Sequence, residues 1–193
     1  MKVSVLPVGP VQANCYVLSV PGRDDCVLID PGAEPERVRS ACGGLRVAAI
    51  LLTHGHFDHT GAVDALMEPD TRLLMHPEDI PMLTDPRLNA SWMIGQRLIV
   101  RAQAEPVEEG ETLAAAGITF RVHHTPGHTP GCVCYETEDC LFTGDTVMAA
   151  GVGRTDLPGG SWDQLAESLH KIRPLLRTHR LMGGHGAPET EAM

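Results

Sequence analysis

The chain has 193 residues, a formal net charge of -10 and 42% hydrophobic residues, enough for one domain (1–193) with a substantial core. So acidic a balance excludes a role built on phosphate-backbone contacts, which draw on clustered Lys and Arg, and no nucleic-acid partner is expected. No apolar run of roughly 18 residues is present to span a bilayer, and Met1 to Pro7 is too short an apolar run for a secretory signal; we expect a cytoplasmic protein without a membrane partner, its six cysteines reduced.

Residues 2–8, 14–20 and 25–29 have the composition of strands in an antiparallel meander, the last two joined by the turn formers Pro21-Gly22 and Asp24-Asp25. Pro35 and Gly43-Gly44 bracket a short helix. The strand 47–52, Val-Ala-Ala-Ile-Leu-Leu, has lost the alternation of a half-exposed strand and should be covered on both faces. A helix is predicted over 60–67 and a strand over 71–75. From His76 to Gly110 four prolines interrupt regular structure, and the segment is expected to be a surface excursion with one short helix. Strands over 118–124, 131–136 and 140–143 make a second meander. Ser161 and Gln164 have the form of a capping box, and the apolar spacing from Trp162 to Ile172 predicts a helix ending at Pro174. A last strand covers 180–182. Two strand-rich halves suggest two sheets packed between outer helices.

The segment Thr53-His54-Gly55-His56-Phe57-Asp58-His59 directly follows the buried strand and places three imidazoles and a carboxylate at its end. Nitrogen and oxygen donors so grouped are those of a borderline metal. Positions i and i+2 of an extended segment point the same way, so His54 and His56 can grip one ion together. Asp58 and His59, further along, are better aimed at a second centre. The remaining donors each stand beside glycine after a predicted strand: His128 in Pro126-Gly127-His128-Thr129-Pro130-Gly131, Asp145 in Phe142-Thr143-Gly144-Asp145, and His185 in Gly184-His185-Gly186. Cys132, Cys134 and Cys140 lack Cys-x-x-Cys spacing and are expected to be small buried hydrophobes.

These four blocks, in order, resemble the metallo-β-lactamase superfamily from about Asn14 to Pro188. Within it, Gly151 to Gly160 and the Gly-His-Gly ending are similar to the glyoxalase II group, the hydroxyacylglutathione hydrolases, and above all to its short bacterial type. The resemblance implies an αββα sandwich of α/β (α+β) class: two mixed β-sheets flanked by helices, with the metals at one edge. By position, His54, His56 and His128 would hold the first metal, Asp58, His59 and His185 the second, and Asp145 both, with Asp58 and Asp145 the catalytic carboxylates. Arg154 stands where the group meets a glutathione carboxylate; the alternative is an arginine paired with Asp156. No counterpart is expected of the C-terminal helical extension that binds glutathione in longer members.

Two divalent ions against Asp58, Asp145 and a bridging hydroxide leave a net positive centre suited to an oxyanion, and a metal can lower the pKa of bound water to ~7. No Gly-x-Ser-x-Gly elbow offers a serine route. The expected activity is hydrolysis of a small acylthiol, S-D-lactoylglutathione to D-lactate and glutathione in methylglyoxal detoxification, with the metal-bridging hydroxide as nucleophile. Zinc is the default, and iron or manganese fits the same donors. Two alternatives stand beside it. A mononuclear iron persulfide dioxygenase would use His54, His128 and Asp145, and a non-catalytic metal-binding domain would not be expected to keep all seven positions filled.

Overall fold

The computed structural model describes residues 1–187; Pro188, where the resemblance ends, and the remaining residues to Met193 lie outside that span. Strands β1 (Lys2–Val8), β2 (Ala13–Ser19) and β3 (Asp25–Ile29) form the expected antiparallel meander. Helix α1 (Pro35–Ala41) carries the chain over to β4 (Arg46–Leu51), which pairs parallel to β3, and β5 (Arg72–Met75) and β6 (Ala104–Pro106) extend the sheet in parallel.

In β4 the register shifts so that Cys26 faces Val47 and Val27 faces Ala49, leaving Ala48 as a bulge. The lost alternation in the sequence therefore has two causes, coverage of both faces and one extra residue. Ala49 and Leu51 face the second sheet, whereas Val47, Ile50 and Leu52 face the helices.

The second sheet has the order β11-β10-β9-β8-β7, built from β7 (Thr112–Ala115), β8 (Ile118–His124), β9 (Val133–Glu136), β10 (Cys140–Gly144) and β11 (Arg180–Gly183). The pairings β7–β8, β8–β9 and β9–β10 are antiparallel and β10–β11 is parallel. Both sheets are thus mixed, and the core between them is one cluster containing Tyr16, Leu18, Ile29, Leu51, Phe120, Tyr135 and Phe142. Each large apolar side chain so enclosed contributes roughly 1.5–3 kcal/mol over its exposed state.

Outside the first sheet, α1 and two short turns of helix, α2 (Phe57–Thr60) and α3 (Val63–Leu66), cover Cys15, Leu28 and Ile50. Outside the second, α4 (Trp162–Leu176) sets Ile172 against Cys134 and Leu141. This is the αββα sandwich, of α+β class. Among the described residues no helix is long and apolar enough to cross a membrane.

Four expectations need correction. The helix over 60–67 is two pieces, because the Ala62 N–H turns aside to the Pro31 carbonyl (2.9 Å) and Gly61 packs on the Gly32 carbonyl, where a Cβ would come within 2.3 Å. The excursion after His76 holds two 3₁₀ helices, Pro77–Leu83 and Ser91–Ile94, rather than one helix. The strands β6 and β7 have no sequence signal, the first being three residues with a proline and the second Thr-Leu-Ala-Ala. Helix α4 runs two residues past Pro174, whose missing N–H and ring fall in its last turn. Cys134 and Cys140 face opposite sides of their sheet and all six cysteines are buried and free, as small hydrophobes would be.

Candidate metal centre

The carboxyl ends of β3, β4, β8, β10 and β11 meet at one edge of the sandwich, each delivering a loop. Two bonds clamp the two sheets there: the Val133 N–H donates to the Thr53 carbonyl (2.8 Å), and the Tyr135 hydroxyl to the Leu52 carbonyl (3.0 Å). Asn14 closes the opposite corner, its amide donating to the carbonyls of Gly183 (3.0 Å) and Gly186 (2.8 Å) on either side of His185.

One donor atom each of His54, His56 and His128 lies within 4.8 Å of the others, and the same holds for Asp58, His59 and His185. His56 Nδ1 approaches His128 Nε2 at 2.9 Å, and Asp58 Oδ2 lies 3.3 Å from His185 Nε2. Asp145 stands between the groups, with Oδ1 3.5 Å from His59 Nε2 and Oδ2 3.5 Å from His128 Nε2 and 3.6 Å from His185 Nε2. The seven residues singled out as ligands therefore share one site.

What fixes them is a ring of partners on the other imidazole nitrogen. His59 Nδ1 meets Asp30 Oδ2 (3.0 Å), His128 Nδ1 the Arg154 carbonyl (2.7 Å) and His185 Nδ1 the Val11 carbonyl (3.2 Å). Thr53 Oγ1 donates its proton to Asp30 Oδ2 (2.6 Å), so at 3.1 Å from His54 Nδ1 it accepts the imidazole N–H. Four rings thus carry their proton on Nδ1 and turn Nε2 inward, the tautomer these hydrogen bonds select and the arrangement metal-binding histidines adopt.

Inside that ring, His54 Nε2, His56 Nε2, His59 Nε2 and Asp145 Oδ1 are buried with no hydrogen-bond partner. Native interiors rarely orphan even one such atom, and four together fit cations held by the side chains themselves. The charges agree. Burial, reinforced by neighbouring imidazoles, holds His54 well below the usual histidine range and His56 at about 3, leaving neutral donors. Burial works against His59 too, but Asp58, Asp145 and Asp30 outweigh it and lift the ring to about 9. Hydrogen bonds to Asp145 and Asp58 raise His185 to about 10. The two carboxylates call for positive charge at this spot.

Two other donor clusters do not make the same case. Asp30, near His54 and His59, already accepts from the Thr53 N–H and hydroxyl and from His59. His76 and His124, with exposed Glu78, stack at 3.9 Å and 8°, so an ion in the plane of one ring lies out of the plane of the other.

Sequence reasoning did not find Asp30, Asn14 or Asp79. Asp79, fully buried in the first 3₁₀ helix, accepts from the Gly55 N–H (2.9 Å), the Thr129 hydroxyl (2.7 Å) and the Gly131 N–H (2.7 Å). It ties the His54–His56 loop to the His128 loop. Of the glycines beside the ligands, Gly144, at φ 49°, has the left-handed backbone that glycine permits. Gly184 serves a different need: a Cβ there would lie 2.1 Å from Asp145 Oδ1. Gly184→Ala is expected to cut metal affinity about 10–100-fold by displacing Asp145, measured by competition with a chelator; unchanged affinity would mean that the loop gives way freely.

The outcome for Arg154 is different. Its guanidinium forms a two-point ion pair with Asp156 (2.6 and 2.7 Å), the pairing weighed as the alternative to substrate contact, and both side chains are more than half exposed.

The metallo-beta-lactamase superfamily model matches residues 8–185. Among relatives, the probable metallo-hydrolase YqgX of Bacillus subtilis is 38% identical over 200 residues, 100% of this chain and 93% of that protein. The hydroxyacylglutathione hydrolase GloC of Haemophilus influenzae is 32% identical over 98% of this chain and 93% of its own length. Among solved structures, the BLEG-1 B3 metallo-beta-lactamase superposes with TM-score 0.90 at 39% identity, covering 97% of this chain and 93% of that one. A di-iron-bound form of TTHA1623 gives 0.86 at 38%, covering 97% and 94%. The chain belongs to the metallo-beta-lactamase superfamily. In class it is a metallo-hydrolase.

Proposed function

We propose that the protein is a binuclear metal-dependent thioester hydrolase of the hydroxyacylglutathione hydrolase type, converting S-D-lactoylglutathione to D-lactate and glutathione. The observation that supports it most is the pair of three-donor groups with Asp145 reaching into both. His54, His56 and His128 would hold one ion, Asp58, His59 and His185 the other, and Asp145 both, zinc being the first choice for imidazole and carboxylate donors. When bound, such ions lower the pKa of water toward ~7 and polarise an acyl oxygen.

The protein's own contribution is placement. Asp30, Thr53 and the carbonyls of Val11 and Arg154 lock the imidazoles, so no reorganisation is needed as charge develops. Asp58, whose side chain is 14% exposed beside a buried His59, would orient the attacking water. The water oxygen bonds to the acyl carbon and the C–S bond breaks; one proton ends on the thiol and the other leaves as the acid ionises. Likeness to GloC over nearly the whole chain supports the thioester class.

The test is thiol release from S-D-lactoylglutathione by the metal-replete protein, followed with a thiol-reactive dye. Turnover is expected; its absence, with oxygen uptake on glutathione persulfide, would turn the assignment to the dioxygenase. Likeness to BLEG-1 supports a second reading, hydrolysis of a β-lactam amide by the same donors, and cephalosporin cleavage without thioester turnover would establish it instead.

For the thiol portion we propose Arg154 as the contact. It must then leave Asp156, so Asp156→Ala is expected to lower KM and Arg154→Ala to raise it, each about three- to tenfold with kcat little changed, as for a lost ground-state contact. Equal KM values in all three proteins would remove Arg154 from the binding site.

A further inference from the structure

Beside the Asp58 and His185 side of the centre lies a cleft of about 280 Å3 whose wall includes Asp58. Its surface is mostly apolar, with Val8, Pro10, Ala33, Phe57, Ile94 and Leu98. One metal-site residue, Asp58, lines it; Gly9 and Pro10 of the β1–β2 loop form one wall, and the same loop meets His185 Nδ1 through the Val11 carbonyl at 3.2 Å. The opposite flank of the centre, at His128, is bounded by the Arg154 carbonyl (2.7 Å). A thioester held at the centre extends two arms, and the cleft is a direction open to one of them.

The chemistry of the cleft selects between the arms. Among the described residues, its only charged lining residues are Asp58 and Glu34, both acidic. Glu34 is held by the Gly9 N–H (2.8 Å) and Arg37 Nη1 (3.1 Å), and that same nitrogen also donates to the Pro7 carbonyl (2.8 Å). Among the described residues of the lining no cation is presented to a carboxylate, so an arm bearing one, such as the glutathionyl group, is disfavoured there. We propose that this cleft is the acyl subsite and that it selects uncharged aliphatic acyl groups of several carbons, a specificity that rests on the thioesterase reading above. The exposed Ile94 at its mouth would be covered by such a chain.

The experiment is a kcat/KM series on S-acetyl, S-butyryl, S-hexanoyl, S-succinyl and S-D-lactoyl glutathione with the metal-replete protein. Each methylene buried should raise kcat/KM about fourfold, so butyryl should exceed acetyl by at least about tenfold, and succinyl should fall at least about tenfold below butyryl. Gln96, an exposed residue of the lining, gives variants that need not disturb the core. Gln96→Trp should lower the hexanoyl-to-acetyl ratio about tenfold, and Gln96→Arg should raise the succinyl-to-butyryl ratio. A flat chain-length profile, or ratios unmoved by both variants, would overturn the subsite and leave the thioesterase standing. No turnover of any member would overturn both together.

Discussion

Asp145→Ala is expected to reduce thioester turnover by at least about a thousandfold and metal content from two ions per chain to one or none. Its two oxygens reach His59 in one donor group, His128 in the other and His185 besides, at 3.5–3.6 Å, and they do so on the inward Nε2 atoms, whereas Asp30 meets His59 on its outer Nδ1. His59 and His128 hold Asp145 well below the ordinary carboxylate range despite its burial, so at neutral pH it is charged. Loss of that charge leaves imidazoles facing one another, and the several kcal/mol of transition-state stabilisation that a metal supplies goes with the ion. Metal analysis beside the thiol assay checks this, and a cooperative thermal transition shows the variant folded. An Asp145→Ala protein that keeps two ions and normal turnover would remove the bridging role.

The second large effect is at a residue that touches no substrate. Asp79→Ala would strip acceptors from the Gly55 and Gly131 N–H groups and from the Thr129 hydroxyl, all now bonded within 2.9 Å. A buried donor left without a partner costs roughly 1–3 kcal/mol, so a loss of about 3–5 kcal/mol in stability is expected, within the range reserved for broken buried networks. Burial pushes the Asp79 carboxyl up, and those three donors oppose that shift, which marks the site as built around an acceptor. The loops it joins carry His54, His56 and His128, so metal affinity should fall about 10–100-fold as well. Denaturant midpoints and chelator competition read the two effects separately. Asp79→Asn, which keeps one oxygen, should fall between; a variant matching wild type in both measurements would make Asp79 a bystander.

The contrast between Asp145 and Asp79 shows what the chain makes legible. The seven donors could be found because four of them crowd into 54–59 and the others stand beside glycine at predicted strand ends. Asp79 lies 50 residues from Thr129 and 52 from Gly131, and Asn14 lies 169 from Gly183, so their partners exist only once the sheets have packed. Asp30 did carry a signal: Asp-Pro-Gly at the end of a predicted strand has the same form as the other loops of the site. Strand assignment succeeded where apolar residues are dense and failed at β6 and β7, whose pairing comes from neighbours rather than from their own composition. The helix after the metal motif broke for a tertiary reason, the diversion of the Ala62 N–H to Pro31.

Titration of the metal-free protein with zinc while thiol release is followed tests the proposed two-ion thioesterase centre most directly. Activity is predicted to climb to a plateau at two equivalents per chain and to be abolished again by chelation. A plateau at one equivalent, or thiol release that ignores the metal, would contradict it.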